Sequence, residues 1–296
     1  MKQVKVILNP FGGRWDKQKK INNVEQALRA ANLNYELDLT EAPGHGVELA
    51  RQAAREGWPA VVAGGGDGTI NEIVNGLIQA ADEGHVSQLG ILPIGTANDL
   101  AAMLDLPRDI GVVCQRIGQA NTRLLDVGQV NGHYFINNSA VGLEPVVTMV
   151  HEKMRWLKGD VRYVAAAVKG ILGATPWAMR LSWDDGTYDG EVVLVSVGNS
   201  RRTGGAFYMT PQAELDDGLL DFVYARQMNR WQLFKLLPKT FKGTHIHHEL
   251  VTYAQTQSLS ITCSPPSPIQ ADGEVIDKSA AEINYRIIPA KLSVIV

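Results

Sequence analysis

The stretch Val61–Leu77, VVAGGGDGTINEIVNGL, decides how the rest of the chain is read. It combines a short apolar strand, three consecutive glycines followed by Asp67, Gly68 and Thr69, and the opening of an amphipathic helix. A glycine-rich turn between strand and helix presents several backbone N–H groups at the positive end of a helix dipole, which suits a phosphate. Glycine lets the backbone approach where a Cβ would intrude. Asp67 is then electrostatically odd, because a carboxylate beside phosphates repels them unless a cation lies between. Mg²⁺ binds in that way, through few carboxylates plus phosphate oxygens. Thr69 is placed to cap the helix through its hydroxyl. A tight βα turn with Asp67 and Thr69 as caps would use the same residues.

Working outward, Val4–Leu8 is a continuous β-branched run of the kind covered on both faces of a sheet, and it stops at Asn9-Pro10. Helical spacing follows over residues 16–32, a strand over 35–39, a helix over 45–57, and strand 60–63 enters the glycine run. A further strand, residues 89–93, leads into ILPIGTANDLA, where Gly95 and Thr96 again stand between strand and helix. This alternation predicts a parallel sheet with right-handed crossovers. The loops after Leu8, Leu39, Ala63 and Pro93 would form a ligand crevice at the strands' carboxyl ends.

Past Leu124 the texture changes to short strands broken by Gly, Asn and Asp, which predicts an antiparallel β domain. Asp184-Asp185-Gly186 marks a hairpin. Helical stretches are expected over residues 146–172 and 229–242, and residues 281–296 read as strand, Pro289, strand.

Composition narrows the field. The 296 residues are enough for two domains. A charged fraction of 20% and a net charge of −3 give no nucleic-acid signature. Cys114 and Cys263 form no CxxC pair, so neither a disulfide framework nor a zinc site is expected and a reducing cytoplasm fits. The N-terminus has no signal-like apolar segment, and no apolar run reaches the length of a transmembrane helix.

GGGDGT at 64–69, PIGTANDLA at 93–101, DDGLLD at 216–221 and DGE at 272–274, in that order, resemble the diacylglycerol kinase catalytic-domain family, and its YegS-like bacterial branch in particular. The resemblance runs over essentially the whole chain. GGDGT alone is shared with NAD kinases and, more loosely, phosphofructokinases; the later motifs narrow it to lipid kinases. The resemblance implies a nucleotide-binding parallel-sheet domain over residues 1–125, NAD kinase-like, rejoined by segment 286–296. It also implies an antiparallel β-sandwich lipid domain over 126–285, with a cleft between the two. The implied reaction is phosphorylation of a lipid hydroxyl, such as that of diacylglycerol or phosphatidylglycerol, by ATP with Mg²⁺.

Carried over by residue, the resemblance implies nucleotide contacts at Asn9, Thr40, Gly66, Asp67, Gly68, Thr69, Ile70, Asn71, Glu72 and Thr96. Glu274 matches the family's proton acceptor, which agrees with the need for one carboxylate to orient the attacking hydroxyl; an isolated DGE would otherwise be a hairpin turn. The loop ELDDGLLD implies a structural Mg²⁺ held by Asp217 and the carbonyls of Glu214 and Leu219, oxygen ligands that suit a hard cation. Asn98 and Asp99 would help hold the catalytic Mg²⁺ through Asp67 or water, or else cap a helix. Two departures stand out: Gly13 in NPFGGR replaces a serine, and Glu144 in NSAVGLE replaces an aspartate.

Arg226–His248 contains Arg226, Arg230, Lys235, Lys239 and Lys242 among Trp231, Phe234, Leu236 and Leu237, without an acidic residue. That is a basic amphipathic pattern suited to an anionic bilayer, and Lys153–Lys169 is a second such segment; either would equally serve as an ordinary helix packed on the core. His245, His247 and His248 are expected in a solvated loop. Other activities left open are a kinase of a soluble substrate, such as NAD or a sugar phosphate, and a non-catalytic nucleotide- or lipid-binding protein.

Overall fold

The structure, a computed structural model, describes residues 3–11, 16–154 and 160–296, and the chain divides into two compact units. The first holds residues 1–125 and 290–296, the second residues 126–289.

In the first unit β1 (Gln3–Leu8), α1 (Lys17–Ala30), β2 (Asn34–Leu39), α2 (His45–Arg55), β3 (Ala60–Gly65), α3 (Asp67–Asp82), β4 (Gln88–Pro93), α4 (Asp99–Met103) and α5 (Ile110–Gln119) follow in order. β2, β1, β3 and β4 lie side by side and parallel. Residues 4–8 of β1 and all of β3 are buried, the apolar ones as strands covered on both faces and Lys5 with its ammonium on Glu36 at 3.2 Å and Asp38 at 2.9 Å. One face packs Val6, Leu8, Val62 and Leu92 against Val24 and Leu28 of α1 and Val113 and Ile117 of α5. On α3, a Cβ at Gly76 would lie 2.3 Å from the Val47 carbonyl of α2, so glycine sets how closely these helices approach. Leu8 pairs with both Leu39 and Gly64, and Gly65 pairs with Pro93. The loops after these strands therefore leave one edge of the sheet.

β5 (Thr122–Val130) leads into the second unit: β6 (His133–Phe135), β7 (Asn138–Gly142), α6 (Leu143–Lys153), α7 (Asp160–Leu172), β8 (Trp177–Trp183), β9 (Gly186–Gly198), β10 (Leu220–Arg226), α8 (Arg230–Thr240), β11 (Val251–Thr256), β12 (Ser258–Ala271) and β13 (Glu274–Ile295). Its pairings are antiparallel. β9 pairs with β8 through its first half and with β7 through its second, and β12 divides between the same two partners. These strands enclose a core of Phe135, Leu181, Phe222, Ile261 and Tyr285. A second cluster, including Leu143, Ile171, Val193, Val223 and Leu236, seats α6, α7 and α8 on β9 and β10.

Several local expectations change. The single helix expected over 146–172 is two helices; Arg155, Trp156 and Lys158 of the second basic segment lie outside the described residues, as does Gly13. β13 passes through Pro289 unbroken, its register with β12 ending at Arg286 and its pairing with β4 coming at Val294. His245 is 2% exposed with Nε2 against the Met209 carbonyl, and burial pushes it down to about 4. It is a core histidine, because α8 and the turn after it fold back on the sheet.

Candidate active site

The glycine turn begins α3 with Gly66 as N-cap and no capping side chain. Thr69, expected to cap, sits inside the first turn, where its hydroxyl accepts from Asn9 Nδ2 at 3.0 Å. Asn9 Oδ1 in turn accepts from Phe11 N at 2.9 Å, and the buried Lys20 donates to the Asn9 carbonyl at 3.1 Å. Burial lowers the Lys20 ammonium. The loop after β1 is thus tied to the start of α3.

The turn after β4 meets the glycine turn directly. Ile94 N donates to Gly65 O at 3.2 Å, and a Cβ on Gly95 would stand 2.3 Å from Gly66 Cα. Asp67 closes this contact: its Oδ2 accepts from Asn98 N at 2.8 Å and its Oδ1 from Asp99 N at 2.6 Å. Asn98 adopts φ +54° and folds its amide over Gly95 and Pro93. Beside phosphates, the charge of Asp67 calls for a cation. In the fold, two backbone donors at the start of α4 already meet it. Charge-assisted bonds of this kind are roughly twice as strong as neutral ones.

Glu72 works similarly one turn later, accepting from Gly44 N and Gly46 N, both at 2.9 Å, so that α2 is anchored to α3. Thr40 is buried at the end of β2 with its N–H on the Leu8 carbonyl, and Thr96 is exposed. Asn9, Thr40, Gly66, Gly68, Thr69 and Thr96 all belong to loops or helix starts at one sheet edge. Ile70 and Asn71 turn inward: Ile70 is fully buried and Asn71 Oδ1 is taken by Asn75. The Ile70 side chain therefore has no surface for a ligand.

In the second unit, Glu274 is exposed at the start of β13, next to a tight turn. Ala271 pairs with Glu274 across Asp272 and Gly273, at φ +46° and +85°. An Asp-Gly pair with both φ positive matches the twist of a hairpin. The Asp272 carboxylate accepts from the N–H groups of Ile136, Asn137 and Asn138 at 2.8–3.0 Å.

Beneath this turn lies Glu144, the first-turn carboxyl of α6. Its Oε1 accepts from Asn138 Nδ2 at 3.1 Å and Gln270 Nε2 at 3.3 Å, and Oε2 has no hydrogen-bond partner. Burial pushes it up to about 7, against the pull of Asn138 and Gln270 toward the charged form. Because the folded value is raised, an ionised Glu144 weakens the fold above pH 7. That penalty shrinks as pH falls through 7 and is gone in the ordinary carboxylate range. Glu144→Gln is expected to raise the unfolding free energy at pH 8 by about 2–3 kcal/mol and to leave it unchanged at pH 4. Urea unfolding at the two pH values checks this; equal stability at pH 8 would contradict it.

The loop before β10 is acidic. Asp217 accepts from Leu219 N at 3.0 Å, and Asp126 accepts from Gly218 N at 2.7 Å. Asp217 is raised by burial and by the charges of Asp126 and Glu214. Asp221 is pushed up to about 6, first by burial, while Tyr253 and Gln255 bond its oxygens. Asp126, Asp217 and Glu214 thus set like charges near one another, with backbone N–H groups donating to the first two. The Glu214 side chain, however, lies 3.7 Å from Arg201, and no group of three or more acidic, His or Cys side chains arranged for a metal occurs among the described residues. A cation here would rest on Asp217, backbone carbonyls and water.

The diacylglycerol kinase catalytic domain matches residues 3–130, and the YegS C-terminal NAD kinase beta sandwich-like domain matches residues 138–296. A diacylglycerol kinase of Bacillus subtilis (strain 168) is 30% identical over 93% of this chain and 90% of its own length. The chain belongs to the diacylglycerol kinase family. A diacylglycerol kinase of Staphylococcus carnosus (strain TM300) is 27% identical over 92% of this chain and 89% of its own. In fold, the crystal structure of a diacylglycerol kinase from Bacillus anthracis str. Sterne superposes with a TM-score of 0.75 over 99% of this chain and 96% of that one, at 19% identity. This member of the family is an ATP-dependent kinase that transfers phosphate to a lipid alcohol. No helix among its described residues is long and apolar enough to cross a membrane.

Proposed function

We propose that this kinase transfers the γ-phosphoryl group of ATP to the hydroxyl of a lipid such as diacylglycerol or phosphatidylglycerol, with Mg²⁺. The observation that carries the reading is the Asp67 clamp, which joins two glycine turns at the start of α3 and holds their N–H groups in one place. On this reading residues 1–125 with the terminal strand bind nucleotide, and residues 126–285, a β-sandwich, take the lipid. Gly66, Gly68 and Thr69 receive the phosphates through backbone donors, with Asn9, Thr40 and Thr96 flanking them. Glu72 supports these loops through α2. Mg²⁺, when bound, neutralises charge on the phosphate oxygens. Asp67 would hold that ion, and Asp217 with the carbonyls of Glu214 and Leu219 a structural one.

Glu274 takes the proton of the acceptor hydroxyl as its oxygen bonds to the γ-phosphorus and the bond to ADP breaks. Its exposure at a hairpin start leaves it accessible to a lipid headgroup. We place the enzyme in the cytoplasm, meeting lipid at the inner membrane face. α8 supports peripheral contact: Trp231 is 77% exposed beside Arg230, Lys235 and Lys239.

One assay tests the reading. γ-Labelled ATP is offered with phosphatidylglycerol vesicles containing diacylglycerol, a sphingoid base or neither. Label on diacylglycerol, lost with EDTA and reduced together with vesicle co-sedimentation when Arg230, Lys235 and Lys239 become Gln, is expected. Label only on a soluble acceptor would overturn it.

A further inference from the structure

We infer that Glu144 is a positioning residue for the turn that presents Glu274, acting through Gln270; the inference rests on Glu274 being the proton acceptor. The structure contains a closed ring of hydrogen bonds. Glu144 Oε1 takes Gln270 Nε2, and Gln270 Oε1 takes Gly273 N at 2.8 Å. Asp272, the residue before Gly273, takes Asn138 N at 3.0 Å, and Asn138 Nδ2 returns to the same Glu144 oxygen at 3.1 Å. One buried carboxylate oxygen thus gathers both arms that hold the turn.

The chemistry of each link makes the ring directional. A carboxylate oxygen only accepts, so it presents the Gln270 amide nitrogen to itself and leaves the amide oxygen for Gly273. The flipped amide would set N–H against N–H at Gly273. The Gln270 backbone is already fixed by pairing with Ala140 and by Ser139 Oγ on its carbonyl, leaving the side chain as the adjustable part. Packing does not substitute: nothing lies within 4 Å of the place a Cβ would occupy on Gly273. The groups facing Glu144 are neutral, Asn138 from β7, Ser196 from β9, Gln270 from β12 and Tyr285 from β13. Glu274 follows Gly273 directly, so the direction of its side chain depends on this turn. The signal is absent from the local sequence, because the ring draws on residues 138, 144, 270, 272 and 273.

The test uses the full chain with Glu144→Leu, Gln270→Leu, their double variant and Glu144→Gln, which keeps an acceptor oxygen. Each leucine variant is expected to lower kcat about ten-fold with KM for ATP unchanged, the double no further, and Glu144→Gln to retain most activity. Hydrogen exchange at Gly273 N–H should accelerate at least ten-fold in the leucine variants, whatever Glu274 does. Unchanged exchange, or effects that multiply in the double variant, would overturn the inference. Accelerated exchange together with full activity in Glu274→Gln would instead overturn the assignment of the base. If Glu144→Leu does not fold, Gln270→Leu carries the same two readouts alone.

Discussion

Asp67→Ala is expected to lower kcat/KM for ATP by about two to three orders of magnitude while the chain stays folded. The substitution removes acceptors from two backbone donors, Asn98 N at 2.8 Å and Asp99 N at 2.6 Å. Hydrogen bonds to a charged group contribute about 1.5–3 kcal/mol each, so the local loss is about 3–6 kcal/mol, concentrated where two glycine turns touch. The strands below are held by their own core, which includes Val62 and Leu92. The damage should therefore appear in nucleotide affinity before global stability. Asp67→Asn is expected to be nearly as damaging, because one amide N–H₂ must face either the Asn98 or the Asp99 N–H. Thermal-shift titration with ATP and Mg²⁺ gives the readout: a near-normal melting temperature without ligand and a lost ATP-induced shift. An Asp67→Asn protein that binds and turns over ATP normally would remove Asp67 from the site.

Glu274→Gln is the complementary case. Its side chain is exposed, so the substitution should leave stability and ATP binding intact. General acid–base groups contribute about 10²–10⁴-fold, and a fall in kcat of about 10³ is expected with KM for ATP unchanged. The measurement is single-turnover transfer of labelled phosphate to diacylglycerol in vesicles. Retention of full turnover would remove Glu274 as proton acceptor. The contrast between the two variants, one acting on nucleotide affinity and the other on the chemical step, separates positioning of phosphate from proton transfer.

The parts of this protein that its sequence determines by itself are those whose cause lies within a few residues. Short apolar runs at Val4–Leu8, Lys5 apart, and at Ala60–Ala63, alternating with helical spacing, suit parallel strands covered on both faces and give the first unit its α/β character. Asp184-Asp185 and Asp272-Gly273 dictate their hairpins because short polar or glycine residues accept tight turns. The four ordered motifs identify the family.

Tertiary structure alone decided what the carboxylates do. Asp67 finds its donors 31 and 32 residues ahead, Glu72 binds amides 26 and 28 residues behind it, and Asp272 reaches an amide 134 residues away. Glu144 is buried and meets two side-chain amides, from Asn138 and from Gln270 126 residues away. Local chemistry states that a carboxylate needs donors, but which donors it meets depends on strand order and register, and these are set by the packing of the whole sheet. The same applies to the glycine run at 64–66. Its conformational freedom is legible in the letters, whereas the contact of Gly66 with Gly95, and the carboxylate that locks it, exist only once β3 lies beside β4.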